Sequence, residues 1–209
     1  MSFIPFLLLS IGLSSQSVNF DHKINVVAAL SLNQISNAQN PEPIENASRL
    51  VSDWGAIDTK RWGIYGSYGQ DVKKSNNHLM AMGAEFEYFV EEDLSVDLGL
   101  LFMDVDQLGG DANGINFTLQ LRWHAHKTSN YSFFIEGGAG MLRTSQNVPT
   151  GGSKFNFTPQ AGLGLSFPME NQKRWLIGLK WHHISNANTY DTNPGRDSWQ
   201  LWTGFSLPF

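Results

Sequence analysis

The chain has 209 residues, a net charge of -5, 16% charged and 12% aromatic residues, and no cysteine. This length suits one domain or a single closed barrel, and the composition is not that of a disordered chain. The scattered basic residues form no patch for nucleic acid, so nucleic acid is not expected as a partner. The lack of cysteine excludes disulfides, thiolate metal sites and cysteine nucleophiles.

The first 20 residues carry no charged side chain, and Phe3 to Leu13 is an apolar run with the length of a signal-peptide core. The sequence therefore predicts a signal peptide over residues 1–20. An irregular segment over residues 21–58, containing Pro41 and Pro43, is expected to follow it. The alternative is a buried strand or helix, since no Lys or Arg precedes the apolar run and no clear cleavage site follows it.

From Arg61 onward, apolar and polar residues alternate with a period of two, which predicts β-strands with one apolar and one polar face. Eight such segments are predicted. They are Trp62–Gly69, Leu79–Val90, Leu94–Met103, Ile115–His124, Phe133–Leu142, Phe155–Phe167, Trp175–Ser185 and Ser198–Phe209.

Most of these segments are as long as a tilted strand must be to cross a bilayer, and longer connections alternate with shorter ones. The sequence thus predicts an eight-stranded antiparallel transmembrane up-and-down β-barrel over residues 59–209, in the outer membrane, with periplasmic termini. A soluble barrel or sandwich with its charged face in water is the alternative. The polar faces predicted to line the interior carry Glu85, Glu87, Asp97, Arg122, His124, Glu136 and Lys180. The aromatic residues predicted to form girdles near the strand ends are Trp62, Phe167, Trp175, Trp181, Trp199, Phe205 and Phe209.

The seventh segment places His183 and Ser185 on its apolar, lipid-facing side. A neutral imidazole can take the proton of a serine hydroxyl near pH 7, which makes serine a nucleophile. The alternation of the eighth segment places Asp197 on the same outer face, where a hairpin that pairs Ser185 with Asp197 would bring the carboxylate within reach of His183. A Ser–His–Asp triad is therefore predicted, at the outer rim of the membrane and facing the lipid.

Metal binding is not expected. His182, His183 and Asp191 could suggest a site, but the two adjacent histidines face opposite sides of a strand. No cofactor is expected either. The alternative interpretation is that His183 and Ser185 are ordinary polar residues at a strand end and have no catalytic role.

The segments Trp181–Ala187 (WHHISNA) and Asn193–Asp197 (NPGRD), followed by an aromatic strand that ends in Phe, resemble the lipid A 3-O-deacylase (PagL) family of outer-membrane eight-stranded barrels. The H-x-S-N motif matches at His183, Ser185 and Asn186. The acidic position of the family, twelve residues after the serine, falls on Asp197, where the family typically has Glu.

This resemblance implies that Asn193, together with backbone N–H groups after Ser185 such as that of Asn186, forms an oxyanion hole. It also implies a metal-free serine esterase that removes the ester-linked hydroxyacyl chain at the 3 position of lipid A. The expected partner is lipid A or lipopolysaccharide in the outer leaflet.

A non-enzymatic small barrel, used for adhesion, for membrane integrity or as a narrow pore, remains the alternative function. Exposed aromatic residues on a barrel wall suit contact with lipid as well as contact with a second copy of the chain. A homodimer is therefore left open by the sequence.

Overall fold

The computed structural model describes residues 55–209. The predicted signal peptide lies outside the described residues, and so does the predicted irregular segment apart from its last residues. Residues 55–59 form a bend and a turn that lead into the first strand.

The described residues contain nine strands and one short 3-10 turn (Glu170–Gln172). The strands are β1 (Lys60–Asp71), β2 (His78–Glu91), β3 (Leu94–Asp106), β4 (Ala112–Lys127), β5 (Ser132–Val148), β6 (Ser153–Phe157), β7 (Gln160–Pro168), β8 (Arg174–Ile184) and β9 (Arg196–Pro208).

All strand pairs are antiparallel, β1 pairs with β9, and β4 pairs with β5, so the sheet closes on itself. Strands β6 and β7 follow each other along one position of the barrel wall, both next to β5. The prediction of a closed eight-stranded antiparallel barrel is thus confirmed. The predicted single segment Phe155–Phe167 is divided because Pro159, between β6 and β7, has no N–H to give to a neighbouring strand.

The two faces of each strand differ as the alternation predicts. On β4, the outward Phe117 and Leu119 are about half exposed, whereas the inward Thr118 and Gln120 are buried. The charged residues predicted to face the interior are all buried, namely Glu85, Glu87, Asp97, Arg122, His124, Glu136 and Lys180. Because the apolar face is outside and the charged face is enclosed, the alternative of a soluble barrel is wrong.

Arg122 lies at the centre of this polar interior. Its Nη1 atom is 3.0 Å from Glu85, 3.1 Å from Asp97 and 3.4 Å from Glu87, and its Nη2 atom is 3.1 Å from Glu136. A buried charge is tolerated when partners of opposite sign surround it, so this network stabilises a charged residue in the barrel interior.

The barrel has two unlike ends. At one, called here the turn end, residues 92–93, 128–131 and 169–173 connect the strands. At the other, called the loop end, residues 72–77, 107–111, 149–152 and 185–195 connect them. The connections after Met103 and Leu142 are shorter than the predicted segments imply, because β3, β4 and β5 continue pairing beyond the apolar band, where outward residues such as Asn113 and Ser145 are polar.

Aromatic side chains gather on the outer wall near the turn end. Trp62 lies 5.1 Å from Phe86 and 6.3 Å from Phe209 between ring centroids, and Phe167 stacks on Trp175 at 5.2 Å. Such a belt marks the boundary between hydrocarbon and headgroups. No helix within residues 55–209 is long and apolar enough to cross a membrane.

Candidate active site at the loop end

The hairpin of β8 and β9 carries the predicted triad, but its register differs from the prediction. His183 pairs directly with Asp197, and Trp181 pairs with Trp199. The predicted pairing of Ser185 with Asp197 is therefore wrong by two residues. A shift of two leaves every side chain on its predicted face, because side chains alternate with a period of two.

The direct pairing brings the imidazole and the carboxylate together. The Nδ1–H group of His183 donates a hydrogen bond to Oδ1 of Asp197 at 2.7 Å. Both side chains are about one-quarter exposed on the outer wall. Aspartate, although one carbon shorter than glutamate, reaches the ring because the two residues are directly opposite each other. With Nδ1 bonded to the carboxylate, Nε2 is the nitrogen that can accept a proton.

Ser185 lies just beyond the end of β8, which ends at Ile184. Its backbone turns toward the neighbouring strand, where its N–H and C=O groups both bond to Phe157 of β6, at 3.1 and 2.7 Å. Below it, the N–H of His183 donates to the carbonyl of Pro159 at 2.9 Å. The partly exposed Ser185 is thus held two residues from His183, on the same outer face.

Two neighbours of His183 were not predicted from the sequence to be part of the site. Trp181 stacks on the imidazole with a centroid distance of 5.7 Å. Gly195, at φ 61°, lies so near that a Cβ atom there would be 3.2 Å from Cε1 and 3.7 Å from Nε2 of the ring. The signal for Gly195 was the Pro-Gly turn before β9, which is typical of a backbone that needs a left-handed residue.

The predicted oxyanion residues lie together in the 185–195 loop, but they bond to each other. The backbone N–H of Asn186 donates to Oδ1 of Asn193 at 3.1 Å. The buried side chain of Asn186 donates to the carbonyl of Thr192 at 2.7 Å, and the amide of Asn193 donates to Oδ1 of Asn188 at 3.2 Å. These bonds shape the loop beside Ser185.

The loop between β1 and β2 also reaches the site. The N–H of Val72 donates to the backbone carbonyl of Asp197 at 2.9 Å. Lys73 places its Nζ atom 3.9 Å from Oδ2 of Asp197, the carboxylate oxygen that His183 does not use. This contact was not predicted from the sequence, because it depends on the closure of the barrel between β1 and β9.

His182 points away from this site and is buried in the barrel interior, while its neighbour His183 is outside. Within the described residues, no group of three or more His, Asp or Glu side chains is arranged to hold a metal ion. The site itself offers an imidazole, a carboxylate, a hydroxyl and amide groups.

The sequence of the chain is similar to those of known proteins. The family model described as lipid A 3-O-deacylase (PagL) matches residues 54–206. The lipid A deacylase PagL of Bordetella bronchiseptica is 39% identical over 72 residues, which is 33% of this chain and 38% of that protein. The matched segment thus spans well under half of that relative's length.

Two solved structures share the fold. The crystal structure of the outer membrane enzyme PagL superposes with a TM-score of 0.56 and 19% identity, over 70% of this chain and 99% of that one. The crystal structure of Neisserial surface protein A (NspA) has a TM-score of 0.57 and 15% identity, over 74% and 99%. At these identities, the likeness concerns the barrel architecture.

Proposed function

Because the chain belongs to the lipid A 3-O-deacylase (PagL) family and folds as an outer-membrane β-barrel, we propose that it is a serine esterase that removes the ester-linked acyl chain at the 3 position of lipid A. The observation that carries this proposal is the hydrogen bond between His183 and Asp197 on the lipid-facing wall, two residues from Ser185.

The site lies where a membrane lipid could reach it. Trp181 and Trp199 are paired on adjacent strands directly on the membrane side of the pair of His183 and Asp197. With the termini in the periplasm, the loop end faces the cell exterior. The site would then meet the outer leaflet at the level where acyl chains join the headgroup, which is where an ester of lipid A lies.

The proposed reaction has two halves. Ser185 Oγ attacks the ester carbonyl carbon while its proton passes to Nε2 of His183, and Asp197 stabilises the imidazolium that forms. The ester C–O bond then breaks, the sugar oxygen leaves with the proton from His183, and the acyl group stays on Ser185. Water, deprotonated by the same imidazole, then releases the fatty acid and restores the serine.

The negative oxygen formed in each half needs hydrogen-bond donors. We propose that Asn193 and the backbone N–H of Asn186 serve as donors. Because these two groups bond to each other, the N–H of Asn186 must exchange the side-chain carbonyl of Asn193 for the substrate oxygen. A donor already aligned by such a bond loses little freedom when it changes partner.

The decisive experiment is a mass spectrum of lipid A from cells that produce the protein, compared with the Ser185→Ala variant. Loss of one hydroxyacyl chain from the 3 position with the intact protein, and none with Ser185→Ala, is expected. Ser145→Ala, a serine exposed on β5 of the same outer wall, is the matched control and should deacylate normally. An unchanged acyl pattern with a folded, surface-exposed barrel would instead support a non-enzymatic role.

A further inference from the structure

The pair of His183 and Asp197 has apolar side chains on one side and a cationic loop on the other. On the membrane side lie the paired indoles of Trp181 and Trp199, the latter 53% exposed. On the other side, the ammonium group of Lys73 approaches Asp197 from the β1–β2 loop, and Lys74 follows it. An apolar surface and a cationic surface thus flank the site, in the order in which a lipid presents its tail and an anionic headgroup.

The cationic side is built on a well-held backbone. Asp71, which is buried, accepts hydrogen bonds through Oδ1 from the N–H groups of Lys73 at 2.7 Å and Lys74 at 3.1 Å. Its Oδ2 accepts a bond from the side chain of Asn77 at 3.2 Å and lies 3.6 Å from Nε of Arg196. The hydrogen bond from the N–H of Val72 to the carbonyl of Asp197 also holds this loop to β9.

The contact of Lys73 with Asp197 is itself weak. The distance is 3.9 Å and the lysine side chain is 71% exposed, so solvent screens the attraction and little is gained from it. The ammonium group is therefore available to another anion. Arg196, which precedes Asp197 on β9, does not serve this role, because it is buried in the barrel interior and faces Asp71.

From the apolar surface on one side of the site and the lysines on the other, we propose that Lys73 and Lys74 bind a phosphate group of the substrate's sugar headgroup and thereby select phosphorylated lipids. This inference rests on the proposed function and names the recognition element of the same site. An ammonium group binds phosphate by charge-assisted hydrogen bonds, and the two lysines are adjacent on one turn. If the acyl chain lies on Trp181 and Trp199 and the phosphate lies on the lysines, the ester lies between them, beside Ser185.

The test compares bisphosphorylated lipid A with the same lipid A after removal of its phosphates, in detergent micelles at fixed ionic strength. The intact protein should have a kcat/KM about tenfold higher on the phosphorylated lipid, mainly through a lower KM. Lys73→Gln combined with Lys74→Gln should remove this preference by slowing cleavage of the phosphorylated lipid alone. Lys73→Arg should keep the preference, and Lys60→Gln, which removes an exposed cation at the turn end, should change nothing.

The outcomes separate the two proposals. If the double variant loses activity equally on both lipids, Lys73 acts through Asp197 as a positioning residue and phosphate binding is wrong. Equal activity of the intact protein on both lipids would also overturn the inference while leaving the esterase proposal standing. If the intact protein cleaves neither lipid, the esterase proposal itself fails.

Discussion

The barrel interior and the outer wall at the loop end use similar chemical groups for opposite purposes. Inside, Arg122 is buried and contacts four carboxylates within 3.4 Å. Outside, His183 contacts one carboxylate and leaves a ring nitrogen toward Gly195, with about one-quarter of its side chain exposed. The guanidinium group of Arg122 thus has a carboxylate partner at each Nη atom, whereas only one ring nitrogen of His183 faces a carboxylate.

The two sites differ because a fully buried charge needs partners of opposite sign, whereas a partly exposed group does not. A charge deep in the barrel without partners would carry a large desolvation cost, so four carboxylates surround Arg122, and this cluster serves stability. His183 lies on the outer wall with about one-quarter of its side chain exposed, so its second ring nitrogen can change partners at a smaller desolvation cost than a buried group. The comparison predicts that changes inside alter stability and changes outside alter activity.

Replacing His183 should reduce the activity more than any other change. His183→Gln removes the base that takes the serine proton, so kcat should fall by about a millionfold, into the background of the deacylation assay. His78→Gln is the matched control, because His78 is also outside, near the loop end, and stacked on an aromatic ring, that of Tyr68 at 5.6 Å. Normal deacylation by His183→Gln, measured by mass spectrometry of lipid A, would remove His183 from the mechanism.

Asp197→Asn is expected to have the next largest effect. The amide cannot stabilise the imidazolium and can turn the ring to the wrong tautomer, which should reduce kcat by about ten-thousandfold with little change in stability. Asp197→Glu should recover much of the activity, since a carboxylate is restored. Asp104→Asn, an exposed carboxylate on β3, is the control. Loss of heat-modifiability on gels by Asp197→Asn would mean that the residue has a structural role instead.

Arg122→Met tests the other half of the comparison. The substitution removes the guanidinium that lies between the buried Glu85, Asp97 and Glu136, which should lower the free energy of unfolding by about 3–5 kcal/mol. Deacylation per folded molecule should stay normal, because the network is on the opposite face of the wall from His183. Thermal unfolding in detergent measures the first effect, with Arg143→Met, an exposed arginine on β5, as control. Equal stability of the two variants would show that the interior network is not needed.

Much of the fold was predictable from the sequence because the alternation of faces is a local property. The inward position of Arg122 and the outward position of His183 both follow from counting along a single strand. The register between β8 and β9 was missed, since a shift of two residues preserves every face and the 185–195 loop does not fix it. The approach of Lys73 was also missed, because it requires β1 to lie beside β9 at the closure of the barrel.

Gly195→Ala should have the weakest effect on activity, because it changes only the space beside the ring of His183. In Gly195→Ala, the added methyl group would lie 3.2 Å from Cε1 of the ring and crowd the approach to Nε2, so activity should fall about tenfold. Gly151→Ala is a close control, because Gly151 also has a positive φ but no atom within 4 Å of an added Cβ. Both variants carry similar backbone strain and should lose about 1 kcal/mol of stability. If both variants keep the activity of the unaltered protein, the imidazole does not need this space. If both lose activity to the same extent, the cause is the backbone strain and not the methyl group beside His183.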